Sequence, residues 1–126
     1  MKVRKAFHPN LLYFGGTAFK YQRPVNDLEK AGQVASLYVD VICTSGEGTG
    51  HAPTVDHVRR LGSRATKPLA IASGLTPENV QLYLPYVKYL MVATGISRDY
   101  HHFDWRRLES MVEKVRSYQQ VRTSPK

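Results

Sequence analysis

Two glycine turns, each placed after an apolar run, carry the atoms that capture an anion. Pro68-Leu69-Ala70-Ile71-Ala72 leads into Ser73, Gly74 and Leu75, and Tyr89-Leu90-Met91-Val92-Ala93 leads into Thr94, Gly95, Ile96 and Ser97. A bound oxyanion needs backbone N–H groups that no carbonyl already uses. Glycine lets the chain approach it closely, and a following helix N-terminus adds positive potential. Read for chemistry, the two turns bind one phosphate; read for structure alone, they are tight strand-to-helix turns.

Three further sets of residues could act beside them. Ser45, Gly46, Glu47, Gly48, Thr49 and Gly50 form a loop with three glycines that lacks the Lys-Ser/Thr ending of a P-loop. Its backbone and the Thr49 hydroxyl suit ligand contact, and Glu47 could serve as a base or hold a ribose. Lys20 follows Gly15-Gly16-Thr17-Ala18-Phe19 and could pair with a phosphate or a carboxylate, or form a Schiff base if desolvated. Lys20 and Glu47 are thus the expected catalytic groups. His51 follows the glycine loop, His57 sits on a helix, and the adjacent His101 and His102 point apart. No cysteine or carboxylate completes a metal-ligand spacing, so no metal is expected, and no cofactor motif is present. Arg98 and Asp99 read as a solvated loop near the site. Cys43 lies inside the apolar Val41-Ile42-Cys43 and reads as core.

The elements that must position these residues alternate. Leu11-Leu12-Tyr13-Phe14 reads as a strand stopped by Gly15-Gly16. Asn26-Asp27-Leu28-Glu29 opens a helix in a capping-box-like pattern, with Leu28, Ala31, Val34 and Ala35 on one face. Tyr38 to Cys43 is the second strand, rich in β-branched residues. A helix starts near Pro53-Thr54, turns Val55, Val58 and Leu61 inward, and ends around Gly62. After the strand at 68–73, Thr76 caps a short helix with Pro77 in its first position. That helix ends near Pro85, and a strand at 88–94 follows. Asp104 caps the last helix, whose stripe is Trp105, Leu108, Met111, Val112, Val115 and Tyr118.

The order is βα four times, which indicates parallel βαβ units: an α/β fold, a parallel (β/α)4 half of a barrel. The loops after the last two strands of a (β/α)8 barrel are its usual phosphate site. The chain's 126 residues are about half of the roughly 250 that such a barrel takes. Four curved parallel strands leave two unpaired edges, so self-association or an N-terminal half-barrel partner closes the barrel, or the sheet stays open in a different arrangement. The expected division is a helix remnant or tail at 1–10, the half-barrel at 11–118 and a polar tail at 119–126.

Composition narrows the function classes. The net charge of +8, with 42% apolar and 22% charged residues, fits a globular domain drawn to a phosphorylated small molecule. Lysine and arginine are scattered and mark no RNA platform, so nucleic acid is not expected as a partner. The longest apolar runs have strand length, so no membrane insertion is expected. A single cysteine fits a reducing compartment and a cytoplasmic location.

Three stretches in order resemble the C-terminal half of the BtpA family, whose founding member is a photosystem I biogenesis protein. They are Phe19 to Val25, Val39 to Gly50, and Ala72 to Val80, the last reading Ala-Ser-Gly-Leu-Thr-Pro-Glu-Asn-Val. The Gly-Leu-Thr-Pro-Glu-Asn-Val string is also similar to phosphoribosylanthranilate isomerase and other phosphate-binding barrels. The resemblance covers roughly residues 11–115 and implies a TIM-like fold without handing over a reaction. It leaves three functional expectations: a half-barrel that binds a phosphorylated sugar or phosphoribosyl ligand, an assembled isomerase or lyase acting on a sugar phosphate, or a non-catalytic assembly factor.

Overall fold

A computed structural model describes residues 2–123, and the side chains of residues 5–119. Its order is α1 (Lys2–Phe7), β1 (Phe14–Gly16), α2 (Leu28–Ala35), β2 (Val41–Thr44), α3 (Val55–Gly62), β3 (Leu69–Ile71), α4 (Val80–Tyr83), β4 (Tyr89–Leu90), β5 (Ser97–Asp99), β6 (His102–Phe103) and α5 (Trp105–Thr123). Strands β1 to β4 form one parallel sheet in chain order, so each βα unit sits beside the next. This is the (β/α)4 arrangement expected. Every loop that follows a main-sheet strand therefore lies at one end of the sheet.

Both sheet faces are covered, as parallel sheets require. Ile42, Leu69 and Ile71 pack outward with Leu28 of α2 and Val58 and Leu61 of α3. Val41, Cys43 and Ala70 form the other face, under Phe14, Phe19, Ala72 and Tyr89. Phe14 and Tyr89 come from the two edge strands, yet their rings meet edge to face at 5.2 Å. Three flat strand spacings would hold them about 14 Å apart. The sheet is curled, and the small Cys43 and Ala70 floor its concave face.

The helices begin where their caps dictate. Asp27 accepts a hydrogen bond from the Lys30 amide at the start of α2, and Thr54 accepts one from the His57 amide at the start of α3. The Asp104 carboxylate accepts from the Arg106 and Arg107 amides at the head of α5. Thr76 and Asn79 bond reciprocally, so Thr76 caps a turn as expected, but the regular helix α4 begins only at Val80.

Several boundaries differ from the sequence expectation. The first strand is Phe14–Gly16, with Leu11, Leu12 and Tyr13 half exposed before it. Gly15 pairs with Ile42 inside the sheet, where Val39 occupies the space a Cβ would take. On α2, Leu28, Ala31 and Ala35 pack on the core as expected and Gly32 joins them in burial, while Val34 faces solvent at 43% exposure. A Cβ at Gly32 would overlap the backbone oxygen of Leu61, so glycine sets how closely α2 and α3 approach. Strand β4 has two residues, and the chain then makes a 3-10 turn at Thr94–Ile96 and a small β5–β6 hairpin. On α5, Met111 is buried with Leu108, Val115 and Tyr118 around it, while Trp105 stays 72% exposed. The helix runs on through Thr123, past the point where a tail is expected; residues 124–126 lie outside the described residues. Among the described residues no helix is long and apolar enough to cross a membrane.

Candidate functional site

The turns after β3 and β4 meet at the C-terminal rim of the sheet. Gly74 has φ +74°, a left-handed conformation that side chains resist, and a Cβ there would overlap Ala52 N and His51 C. Gly95 is buried against the carbonyl oxygen of Leu75, leaving no room for a side chain. The two glycines are therefore the points where one turn presses on the other and on the 45–52 loop.

Side chains hold the carbonyls of both turns. Asn79 Nδ2 donates to Gly74 O at 3.0 Å, and Arg107 Nε donates to Gly95 O at 2.9 Å. Peptides are planar and trans, so fixing the Gly74 carbonyl aims the Leu75 N–H the opposite way. Among the described residues, the amides of Gly74, Leu75, Thr94 and Gly95 have no protein acceptor. Ile96 and Ser97 depart from expectation. The Ile96 amide donates to Ala93 O and the Ser97 amide to Thr94 O, while Ser97 Oγ donates to Ala93 O at 2.7 Å. These bonds shape the turn and remove those groups as anion donors.

Arg107 also forks onto Glu78, with Nη1 to Oε1 at 2.7 Å and Nη2 to Oε2 at 3.0 Å. That hydrogen-bonded guanidinium pulls the Glu78 carboxyl down to about 2. Glu78 belongs to the segment after Gly74, so the pair locks α5 to both turns. Sequence reasoning placed Asp104 as the cap but missed Arg107, Glu78 and Asn79 as the groups that orient the turns. The available signal was the Thr-Pro-Glu-Asn stretch, whose polar residues are too many for a helix cap alone.

The glycine loop reaches the same rim. Ser73 is buried, and its hydroxyl accepts from the Gly50 amide at 3.2 Å and donates to Gly48 O at 3.3 Å. Ser73 therefore ties the loop to the first turn and offers no spare hydroxyl hydrogen to a ligand. Gly50, at φ +83°, faces open space. Ser45 is also buried; its hydroxyl accepts from the Lys20 amide at 2.8 Å and donates to Gly46 O. Lys20 Nζ donates to Thr49 Oγ1 at 3.3 Å. Lys20 and Glu47 line one cleft, between the 17–27 and 45–54 segments, together with Arg23, His51 and His57. The residues expected to act together thus fall into two groups: the glycine turns over β3 and β4, and the charged groups over β1 and β2. The 45–51 loop joins them through Ser73.

Cys43 is buried with its thiol pushed up by that burial, which makes it core. Asp99 accepts from His102 Nδ1 at 2.7 Å, a bond that holds its carboxyl down, and the pair closes the exposed β5–β6 hairpin.

The parallel four-stranded α/β arrangement is that of about half a TIM barrel, and the proteins similar to the chain are TIM-barrel folds of the phosphoribosylanthranilate isomerase type. Among curated proteins, N-(5'-phosphoribosyl)anthranilate isomerase 1 of Methanosarcina mazei is 34% identical over 94 residues, covering 73% of this chain and 40% of that protein. Two solved structures show the same fold. Phosphoribosyl anthranilate isomerase of Thermus thermophilus has a TM-score of 0.65 at 18% identity, over 83% of this chain and 50% of that one. Thiamine phosphate pyrophosphorylase of Pyrococcus furiosus has a TM-score of 0.64 at 16% identity, over 92% of this chain and 54% of that one. The chain thus spans about half the length of the proteins it matches, or less. No family model matches the chain. The similarity to BtpA rests on the three sequence stretches alone.

Proposed function

We propose that the chain binds a phosphorylated sugar or phosphoribosyl compound, with the phosphate seated at the turns around Gly74 and Gly95. The observation that carries this reading is the pair of abutting turns whose Gly74, Leu75, Thr94 and Gly95 amides have no protein acceptor among the described residues, with the Gly74 and Gly95 carbonyls held by Asn79 and Arg107. The names of the relatives support the ligand class, since each includes a phosphorylated compound.

Activity belongs to a closed barrel in this reading. The half-barrel unit of residues 11–118 leaves β1 and β4 as open edges, completed by a second copy or by an N-terminal half-barrel. In that assembly the chemistry is isomerase or lyase chemistry on a sugar phosphate, with Lys20 and Glu47 as the acid-base pair. A BtpA-like assembly factor would use the same fold without turnover.

Calorimetric titration with ribose 5-phosphate, and with ribose as control, tests the binding. The phosphate ester binds and ribose does not. Gly74→Ala weakens binding at least tenfold, about 1.4 kcal/mol, in keeping with one charge-assisted amide bond lost. Equal affinity for ribose and its phosphate would refute the placement, and it needs no variant to be seen.

A further inference from the structure

The cleft over β1 and β2, which the 45–51 loop joins to the glycine turns, has a charged lining of its own. Its volume is about 690 Å3, within the range of small-molecule sites. Its lining holds two fixed positive charges, Lys20 and Arg23, against one carboxylate, Glu47. The loop that makes one wall is strained: Ala18 and Tyr21 adopt φ of +49° and +64°, where side chains are disfavoured. The strain is held by bonds that converge on the cleft. The Ala18 carbonyl accepts from Thr44 Oγ1 at 3.1 Å, and the Lys20 amide donates to Ser45 Oγ at 2.8 Å.

Thr44 fixes the state of His57. A carbonyl can only accept, so the single hydroxyl hydrogen of the fully buried Thr44 goes to Ala18 O. His57 Nε2 lies 2.9 Å from the same oxygen and must donate to it. Burial, aided by the nearby Arg60 charge, holds the ring's pKa below its usual value and so favours the neutral imidazole. A neutral ring protonated at Nε2 has a bare Nδ1, and among the described residues Nδ1 has no partner. The cleft therefore combines cations with one anchored acceptor.

We propose that this cleft is a binding site for a hydroxylated organic anion, with Lys20 and Arg23 pairing its carboxylate and His57 Nδ1 accepting a hydrogen bond from its hydroxyl group. A plain carboxylate satisfies half of the site, and a hydroxy acid satisfies both halves. The probe is D-glycerate, compared with propionate, which has the same charge and chain length but no hydroxyl. Neither carries a phosphate, so failure here leaves the glycine-turn reading intact, and the reverse.

The experiment is nitrogen NMR of the histidine side chains at neutral pH, followed by titration of the wild-type chain. In the free protein His57 is the neutral Nε2–H tautomer. D-glycerate shifts the His57 Nδ1 resonance and binds about tenfold more tightly than propionate, ~1.4 kcal/mol. Lys20→Ala with Arg23→Ala lowers affinity for both anions, while His57→Gln removes the preference for D-glycerate. A charged His57, an Nδ1–H tautomer, an unmoved Nδ1 resonance, or equal affinity for the two anions would overturn the proposal.

Discussion

Asn79 decides which way the Gly74 peptide faces. Its amide donates to Gly74 O, and its carbonyl oxygen accepts from the Thr76 amide at 2.8 Å. Asn79→Ala orphans both backbone groups, at a cost of about 1–3 kcal/mol for each that stays dry. The same change frees the 74–75 peptide to rotate and takes the Leu75 N–H off its aim. We expect ribose 5-phosphate affinity to fall about tenfold while circular dichroism keeps the native spectrum at low temperature. Unchanged affinity would mean that Asn79 serves the turn and not the anion. At this scale the sequence showed which residue types matter and not what they face. Gly74 and Gly95 were legible because glycine after an apolar run has few other uses. Ile96 and Ser97 were misjudged, since a 3-10 turn that consumes their amides leaves no pattern in composition. His57 was passed over as a metal ligand and gave no other sign, because its meaning lies in Thr44, thirteen residues away.

The α2–α3 pair is the element contact most open to test. Gly32→Ala should gain about 1 kcal/mol in helix propensity. The new methyl would meet the backbone oxygen of Leu61, which no rotamer change can move, and overpacking of this kind costs about 1–3 kcal/mol. Packing wins, and the thermal midpoint should drop by several degrees; a rise would show that the helices can part freely. Across the same pair, Glu29 accepts from Arg60 Nε at 2.8 Å, and that bond pulls its carboxyl from 4.5 to about 2. A carboxyl lowered on folding stabilises the native state above its unfolded value and loses that contribution as pH falls through its folded one. The difference in melting temperature between wild type and Glu29→Gln should therefore be full at pH 6 and shrink between about pH 4.5 and 2. A constant difference would remove the pair from the stability of this interface. Helix starts were legible here: Asp104 caps as read, and α2 and α3 begin at the Asn26–Glu29 and Pro53-Thr54 segments read as their starts, with Asp27 and Thr54 as the capping residues. The misplaced strand ends have one cause. Leu11 and Leu12 look like strand residues, yet pairing is decided by β2, whose register sets Phe14 opposite Val41.

As a whole, the molecule is a curled sheet with β1 and β4 at its edges and a rim of loops at one end. Sequence periodicity showed the βα order and hence the parallel sheet. It did not show the curl, which follows from Phe14 and Tyr89 meeting over Cys43 and Ala70. If the open edges are closed by a second copy, light scattering should give twice the mass of the 126-residue chain at micromolar concentration. A monomer would point to an N-terminal half-barrel as the partner instead. The proposed function rests on the rim, where two backbone turns carry N–H groups that have no protein acceptor among the described residues. Amide proton–nitrogen NMR during titration of the wild-type chain with ribose 5-phosphate reads that directly. The resonances of Gly74, Leu75, Thr94 and Gly95 should move together along one saturation curve, and ribose should leave them in place. Shifts confined to one turn, or to residues elsewhere on the chain, would contradict it.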